Sequence, residues 1–415
     1  MSTHEITLTE DQQSALEAFH AFLTDPIETV FVLRGYSGCG KSTLVRTLLD
    51  QLPGFNKAAH LINPNHKEYE VALTATTNKA AENLGSITGQ GAVTIHSFLG
   101  LRVQTDYRSN TTTLIPRTND QKQGYLLFID EASYVDKQLL SFIFKMTYNC
   151  KVVFIGDPAQ LTPVKSVGTP VFDANFTGAA LTTVVRQAEG NPIVDLSTKF
   201  RHTVNTGEFF SFKPDGEHVV YLDREGFNKA IENEFSRPDW RYQDSKILAW
   251  TNKCVIGYNH FVRNLAKGDP HFQVDDYAVC NSFVTVGKSS IKTDQLVQIG
   301  AIENDSVRYE VPGNMVCVDG IWVFHPKSLE LWNAGIKKMR AKDNFGAVAE
   351  MESQWIDLRA AYACTINKAQ GSTFDRVFVD LDDIRRCNSG DQIARMLYVG
   401  VSRARTQVFL TGDLV

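Results

Sequence analysis

Residues 31–49 read FVLRGYSGCGKSTLVRTLL: an apolar run, a glycine-rich turn, then Lys-Ser-Thr opening a second periodic apolar stretch. Gly35, Gly40, Lys41 and Ser42 stand at the spacing of a phosphate-binding loop. Such a loop belongs between a buried strand and a helix, which commits this part of the chain to an α/β fold with a parallel sheet. Backbone N–H groups from Gly35 through Gly38 to Gly40 would wrap the phosphates. The helix opening at Lys41, Ser42 and Thr43 would add its partial positive charge. Lys41 would reach the β- and γ-phosphates, and Ser42 would ligate Mg²⁺. The motif says that a nucleoside triphosphate is held, but not what its energy is used for.

The surrounding pattern extends the sheet. Thr29–Arg34, Val71–Thr74, Tyr125–Asp130 and Lys151–Asp157 are short apolar runs. Helical stretches fall between them: Ser42–Leu52, expected to stop at Pro53; Lys79–Leu84, expected to end at Gly85; and Lys137–Met146. Near-continuous apolar strands between helices imply a parallel sheet covered on both faces, with ligands at the carboxyl ends of the strands. Gly35, Asp130 and Asp157 all fall there. Residues 101–117, LRVQTDYRSNTTTLIPR, alternate around a polar turn and predict an exposed β-hairpin.

A second alternating series begins near Lys246 (KILAW) and resumes at Tyr362, Arg376–Asp380 and Gln407–Thr411. Between these lies a different texture over roughly residues 266–360. Its strand-like runs are FVTV, QLVQIGAI, VRYEV and MVCV-DG-IWVF, with Asp319-Gly320 as a strong hairpin signal. A charged helical stretch follows over Ser328–Glu352, with a break expected near Asn344–Gly346. The pattern suggests a small β-barrel-like insertion with a helical appendage. No internal repeat is evident.

FIDE at 128–131 ends a buried strand with two carboxylates. Asp130 is placed to hold the Mg²⁺ shell, and Glu131 to orient and deprotonate an attacking water. A water needs a base, so adjacent carboxylates favour hydrolysis over transfer to a small molecule. The Asn-Lys pairs at 78, 252 and 367 lack the Asp of a guanine motif. Gln12, in LTEDQ, has the amide geometry to pair with adenine, or it completes a capping box with Thr9. From this stretch alone both readings stand.

The formal net charge of −5 argues that any nucleic-acid role must rest on a local groove. There is no apolar run of membrane-span length and no signal-peptide core. The seven scattered cysteines, without a C-x-x-C pair, point to free thiols and a cytoplasmic setting.

Further motifs follow in order: ATTNKAA (75–81), TIHSFL (94–99), FIDEAS (128–133), GDPAQLTPV (156–164), LTTVVRQ (181–187), TINKAQGST (365–373) and LYVGVSRAR (397–405). This series resembles the superfamily 1 helicases of the 5′-to-3′ branch, the RecD-like group, and especially its phage Dda-type members. The resemblance spans nearly the whole chain.

It implies two RecA-like motor domains with parallel sheets and ATP between them. The first would occupy 1–167, with a pin hairpin at about 100–123. The second would be built from 168–265 and 360–415, interrupted by an SH3-like insertion with a helical tower over 266–359. The resemblance also implies ATP and Mg²⁺ as cofactors, adenine contact by Gln12, γ-phosphate sensing by Gln160, nucleotide contact by Gly371, and arginine fingers at Arg186 and Arg403. A planar, permanently charged guanidinium suits the charge that develops on a transferring phosphoryl group.

The same likeness puts single-stranded DNA on Thr77, Lys79, Thr94, His96 and Ser97, and on Asn252, Thr365, Asn367 and Ser372. These short polar groups suit a sequence-independent grip on phosphate and sugar. Taken alone, His96 is more simply a partly buried structural histidine. Tyr107, or Leu114 and Ile115 across the hairpin turn, would open the base pair of a forked duplex. Two positions depart from the family pattern. Ala75-Thr76-Thr77-Asn78 replaces Ala-Pro-Thr-Gly, and Asn367 replaces a histidine, so an amide there cannot carry charge.

The expected activity is an ATP-dependent DNA helicase, monomeric and moving 5′ to 3′, with phage replication or recombination as the setting the resemblance suggests. An RNA helicase, a phosphate-loop kinase or switch, and a binding module with a decayed ATPase are the alternatives. Intact Lys41, Asp130, Glu131, Gln160, Arg186 and Arg403 speak against the last.

Overall fold

The computed structural model describes residues 8–106, 111–118, 120–162, 168–183, 185, 190–269 and 271–414, with no side-chain account of 103–106, 111 and 112. The chain divides into two compact units. One holds 1–102, 114–212 and 390–402, and the other 103–113, 213–389 and 403–415.

The first unit is built on a 6-stranded parallel sheet, ordered Gly178–Leu181, Val30–Gly35, Lys151–Gly156, Tyr125–Asp130, Glu70–Ala75 and Ala92–Thr94. Its central strands are buried along nearly their whole length, as strands covered on both faces must be. One face packs on the helices Glu10–Thr24 and Lys41–Ile62 through Phe19, Phe31, Leu48 and Phe128. The other carries Ile95, Leu139, Ile143 and Phe154. Gly35, Ala75, Asp130 and Gly156 end adjacent strands, so the expected functional edge is a physical edge.

Two sequence expectations, on the ends of helices, need correction here. Pro53 does not stop its helix, which runs Lys41–Ile62 with the proline inside. Burial of Leu48, Leu49 and Leu52, and stacking of Phe55 on His20 at 4.6 Å, outweigh the lost N–H. Gly85 does not end the next helix, which runs Asn78–Thr88 and closes on left-handed Gly89. The first unit also reaches past residue 167. Gly178–Leu181 extends its sheet beside Val30–Gly35, and the helices Pro192–Thr206 and Gly390–Ser402 pack on each other within it.

The second unit holds a 5-stranded parallel sheet, ordered Val219–Tyr221, Ala404–Thr411, Phe374–Asp380, Ser245–Ala249 and Ala363–Thr365. Between its strands is an antiparallel 5-stranded sheet: Ile321–Pro326, Val311–Val318, Leu296–Arg308, Tyr277–Cys280 and Leu358–Arg359. Asp319-Gly320 forms the expected two-residue hairpin, with φ of 49° and 82°. VRYEV is not a strand; Tyr309 and Glu310, at φ 47° and 64°, make a second hairpin turn without glycine. The helices Leu329–Ala341 and Phe345–Gln354 fold back on Val311, Phe324 and Trp355. The expected break between them falls at Lys342–Asn344.

The hairpin predicted near 101–117 is present as Leu101–Asp106 and Thr111–Pro116, closed at its base by Arg117 N–H to the Gly100 carbonyl at 2.9 Å. Among the described residues no helix is long and apolar enough to cross a membrane.

Candidate nucleotide site and nucleic-acid edge

The phosphate loop is a tight turn between strand and helix. Gly38 and Gly40 adopt φ of 84° and 80°, which L side chains rarely tolerate. Gly40 has a second constraint, since a Cβ there would lie 2.6 Å from Gln12 Nε2. Lys41 turns back into the loop, donating to the carbonyls of Gly35 at 2.7 Å and Tyr36 at 2.9 Å. Ser42 and Thr43 occupy the first turn of the helix, beside its exposed N–H groups.

Gln12 is buried and engaged at both ends. Its Oε1 accepts from Thr9 N–H at 3.0 Å, forming the capping box, and its Nε2 donates to the Cys39 carbonyl at 3.0 Å. The amide therefore ties the N-terminal helix to the phosphate loop. Asp11, beside it, accepts from the backbone N–H groups of Thr182 at 2.7 Å and Thr183 at 2.9 Å. Burial pushes the Asp11 carboxyl up, but bonds from Thr9, Thr183 and Thr182 outweigh it and hold the group down at about 2. Val185 N–H donates to the Gly38 carbonyl at 2.9 Å. Thr182, Thr183 and Val185 are thus fastened to the N-terminal helix and the phosphate loop, and Arg186 lies outside the described residues.

Asp130 ends its strand half-buried beside Glu131, and its Oδ1 accepts from Glu131 N–H at 2.8 Å. Burial first and the Glu131 carboxylate second push its pKa up to about 7. A hard divalent cation would offset both the burial and the Glu131 repulsion, so the donor set fits Mg²⁺ held by Ser42 and Asp130. Glu131 sits in the left-handed region at φ 54°, a strained backbone for a non-glycine residue of the kind found at functional sites. Gln160 is buried in the loop after Lys151–Gly156.

Two residues at this site were missed by sequence reading. Tyr398 O–H donates to the buried Asp157 Oδ2 at 2.5 Å and accepts from Ser37 N–H of the phosphate loop at 3.0 Å. Arg201 stacks its guanidinium 3.6 Å over the Tyr36 ring. Tyr398 stands in the LYVGVSRAR motif, where sequence reading gives a role to Arg403 alone, and Arg201 lies in no motif; the partners of both are too far along the chain for a local window to place.

The expected nucleic-acid contacts lie on strand ends. Thr77 and Thr94 cap the helices Asn78–Thr88 and Ile95–Phe98, accepting from Ala80 and Ser97 N–H. Lys79 is paired with Glu82 at 3.1 Å, Ser97 is exposed, and burial lowers the pKa of His96 against the opposing pull of Asp136. In the second unit Thr365 caps Ile366–Ala369, which contains Asn367, and Asn252 opens Asn252–Lys267 while accepting from Arg359 at 2.7 Å. Gly371 takes φ 76°, and the Ser372 carbonyl accepts from the buried Arg403 at 3.1 Å. Leu114 packs half-buried against the first unit's core and Ile115 is half-buried, whereas Tyr107 lies outside the described residues.

Structure and site together define a phosphate-loop nucleotide hydrolase. An AAA domain model matches residues 7–219, and a UvrD-like helicase C-terminal domain model matches residues 360–411. The chain is 25% identical to the ATP-dependent DNA helicase Dda of Enterobacteria phage T4, covering 97% of this chain and 98% of that one. It is 32% identical to the ATP-dependent RecD2 DNA helicase of Deinococcus radiodurans, over 98% of this chain and 49% of the larger protein. A solved Pif1 helicase from a study of unwinding at forked double-stranded DNA shares the fold, with TM-score 0.51 and 18% identity over 99% of this chain and 93% of that one. The chain belongs to the AAA-domain family and, within it, to the superfamily 1B ATP-dependent DNA helicases.

Proposed function

We propose that this chain is an ATP-driven motor that moves 5′ to 3′ on single-stranded DNA and opens forked duplexes as a monomer in a reducing cytoplasm. The carrying observation is one sheet edge that bears both chemistries. Thr76, in the turn leading to Thr77, donates through Oγ1 to the Glu131 carbonyl at 3.1 Å, and its N–H donates to the Asp130 carbonyl at 3.2 Å. The strand-gripping turn is therefore joined to the backbone that carries the two carboxylates. The seven free cysteines agree with the compartment.

Mg²⁺, held by Ser42 and Asp130, supplies charge neutralisation at the phosphates when bound. The chain's own residues do the rest. The loop N–H groups and Lys41 hold the phosphates, and Lys41 leaves the Gly35 and Tyr36 carbonyls to do so. Gln12 ties the N-terminal helix to the phosphate loop, and its amide would turn from Thr9 and the Cys39 carbonyl to meet adenine. Glu131 accepts the proton of the attacking water, Gln160 senses the γ-phosphate, and Arg186 and Arg403 offset the charge that develops there. Thr77, Thr94, Thr365 and Asn252 grip the backbone without reading bases.

The test is steady-state ATPase with and without poly-dT and poly-U, at low and moderate salt. Strong stimulation by poly-dT that weakens with salt is expected. Equal stimulation by poly-U moves the substrate toward RNA, and indifference to both strands overturns the motor.

A further inference from the structure

The helix Gly390–Ser402 places Gln392, Arg395 and Tyr398 three residues apart, a spacing that brings side chains to one helix face. Each engages the same short loop. Gln392 Nε2 donates to Thr162 Oγ1 at 3.1 Å. Arg395 Nη1 donates to the carbonyls of Pro158 and Gln160, both at 2.7 Å, while its Nε is held by Asp391 at 3.0 Å. Tyr398 O–H takes Asp157 Oδ2 and, from its other side, the Ser37 N–H of the phosphate loop. Asp157 is fully buried, and its remaining oxygen accepts from Ala159 N–H at 2.9 Å. A phenylalanine would fill the space of Tyr398 equally well, so the hydroxyl answers the buried carboxylate and the loop amide.

We infer that this helix is a rail that fixes the 157–162 loop against the phosphate loop. Gln392, Arg395 and Tyr398 are then positioning residues for Gln160. Resting on the assignment of Gln160 as γ-phosphate sensor, the rail makes discrimination between a triphosphate and a diphosphate depend on residues that touch neither. The two carbonyls taken by Arg395 flank the Ala159–Gln160 peptide, so the backbone carrying the sensor cannot rotate while Arg395 is bound. The neighbouring helix Pro192–Thr206 adds Arg201 over Tyr36, so two consecutive phosphate-loop residues are held from one helical layer.

The experiment measures Kd for ADP and for a non-hydrolysable ATP analogue by fluorescence competition. The variants are Gln160→Ala, Tyr398→Phe, Arg395→Met and the double variant Gln160→Ala/Tyr398→Phe. Gln160→Ala and Tyr398→Phe should each weaken the analogue roughly tenfold, as loss of a buried hydrogen bond implies, with ADP changed less than about twofold. The double variant should lose no more than either single one, because both act through one sensor. Loss of the preference in Gln160→Ala but not in Tyr398→Phe or Arg395→Met overturns the rail and leaves the sensor standing. An unchanged preference in Gln160→Ala overturns the sensor, and the rail with it. Thermal unfolding monitors the fold, and Arg395→Met decides the question where Tyr398→Phe does not fold.

Discussion

The two parallel sheets end in the same local device and connect it to different things. In the first, Ala75 and Thr94 lie opposite on neighbouring strands, and Thr77 and Thr94 cap the helices that follow. In the second, Ala249 and Thr365 lie opposite, and Thr251 and Thr365 are the caps. The sequences correspond as well. Thr77-Asn78-Lys79 matches Thr251-Asn252-Lys253, and Thr94-Ile95 matches Thr365-Ile366, a short repeat that linear reading passed over.

The wiring differs. The first turn hangs on the backbone of Asp130 and Glu131 through Thr76. The second is pinned by Asp383, which accepts from Trp250 N–H at 2.8 Å, Thr251 N–H at 2.7 Å and Thr251 O–H at 2.7 Å. Next to Asp383, Asp380 is bound by Arg224 at 2.9 Å and Tyr258 at 2.6 Å. One turn hangs on the backbone of the proposed hydrolytic residues and the other on a buried carboxylate.

The largest test of that division is Glu131→Gln. The amide keeps the shape of the site but cannot accept a proton. Turnover should fall by roughly a hundredfold or more while ATP still binds. Near-normal turnover removes Glu131 from the base role. Asp383→Asn, on the carboxylate that serves the second turn, should leave strand-free turnover near wild type.

The next test uses the opposite pH signs of the two carboxylates. Asp130 is pushed up to about 7 by burial and then by Glu131, so the folded state holds a proton that the unfolded state releases. Its ionisation therefore destabilises the fold progressively as pH rises from about 4 to about 7. Asp130→Asn should add stability on the order of 2 kcal/mol at pH 8 and almost none at pH 4. Burial also pushes Asp380 up, but the Arg224 and Tyr258 bonds outweigh it and leave the group below its ordinary value. Its contribution is present above the unfolded pKa and is lost as pH falls through the lower folded one. Asp380→Asn should cost roughly 2 kcal/mol at pH 7, a figure moderated by the partial exposure of Arg224, and the cost should fade in acid. Denaturant melts at the two pH values check both signs, and parallel pH profiles would erase the distinction.

How much of this was legible depended on sequence distance. The phosphate loop and FIDE carry their geometry in contiguous residues, so strand, turn, helix and carboxylates followed from spacing. The ends of the Pro53 helix and the Gly85 helix did not, because Leu48, Leu52 and Phe55 supply packing that a local breaker rule cannot weigh. The Tyr309-Glu310 turn lacks the Gly or Asn that usually marks left-handed backbone, and so passed for a strand. Tyr398 reaches Asp157 across 241 residues, a pairing that no window of sequence contains.

The finest test separates the two grips by one methyl-for-hydroxyl exchange in each turn. Thr76→Val keeps the side-chain shape and deletes only the donor to the Glu131 carbonyl. If that bond transmits strand binding to the base, strand-free ATPase should stay within about twofold. Stimulation by poly-dT should fall roughly three- to tenfold, the scale of one net hydrogen bond, with DNA affinity little changed. Thr251→Val deletes the donor to Asp383 and the helix cap together. It should lower stability and DNA affinity by about 1 kcal/mol each while sparing the stimulation ratio at saturating DNA. Fluorescence anisotropy for affinity, and turnover at saturating poly-dT for coupling, separate the two effects. Equal loss of stimulation in both variants would mean that both turns are wired to the chemistry and that Asp383 is no mere anchor. No loss in Thr76→Val would leave the joint between strand grip and hydrolysis to be sought at the caps themselves, since Thr77 and Thr94 are the next groups along that edge.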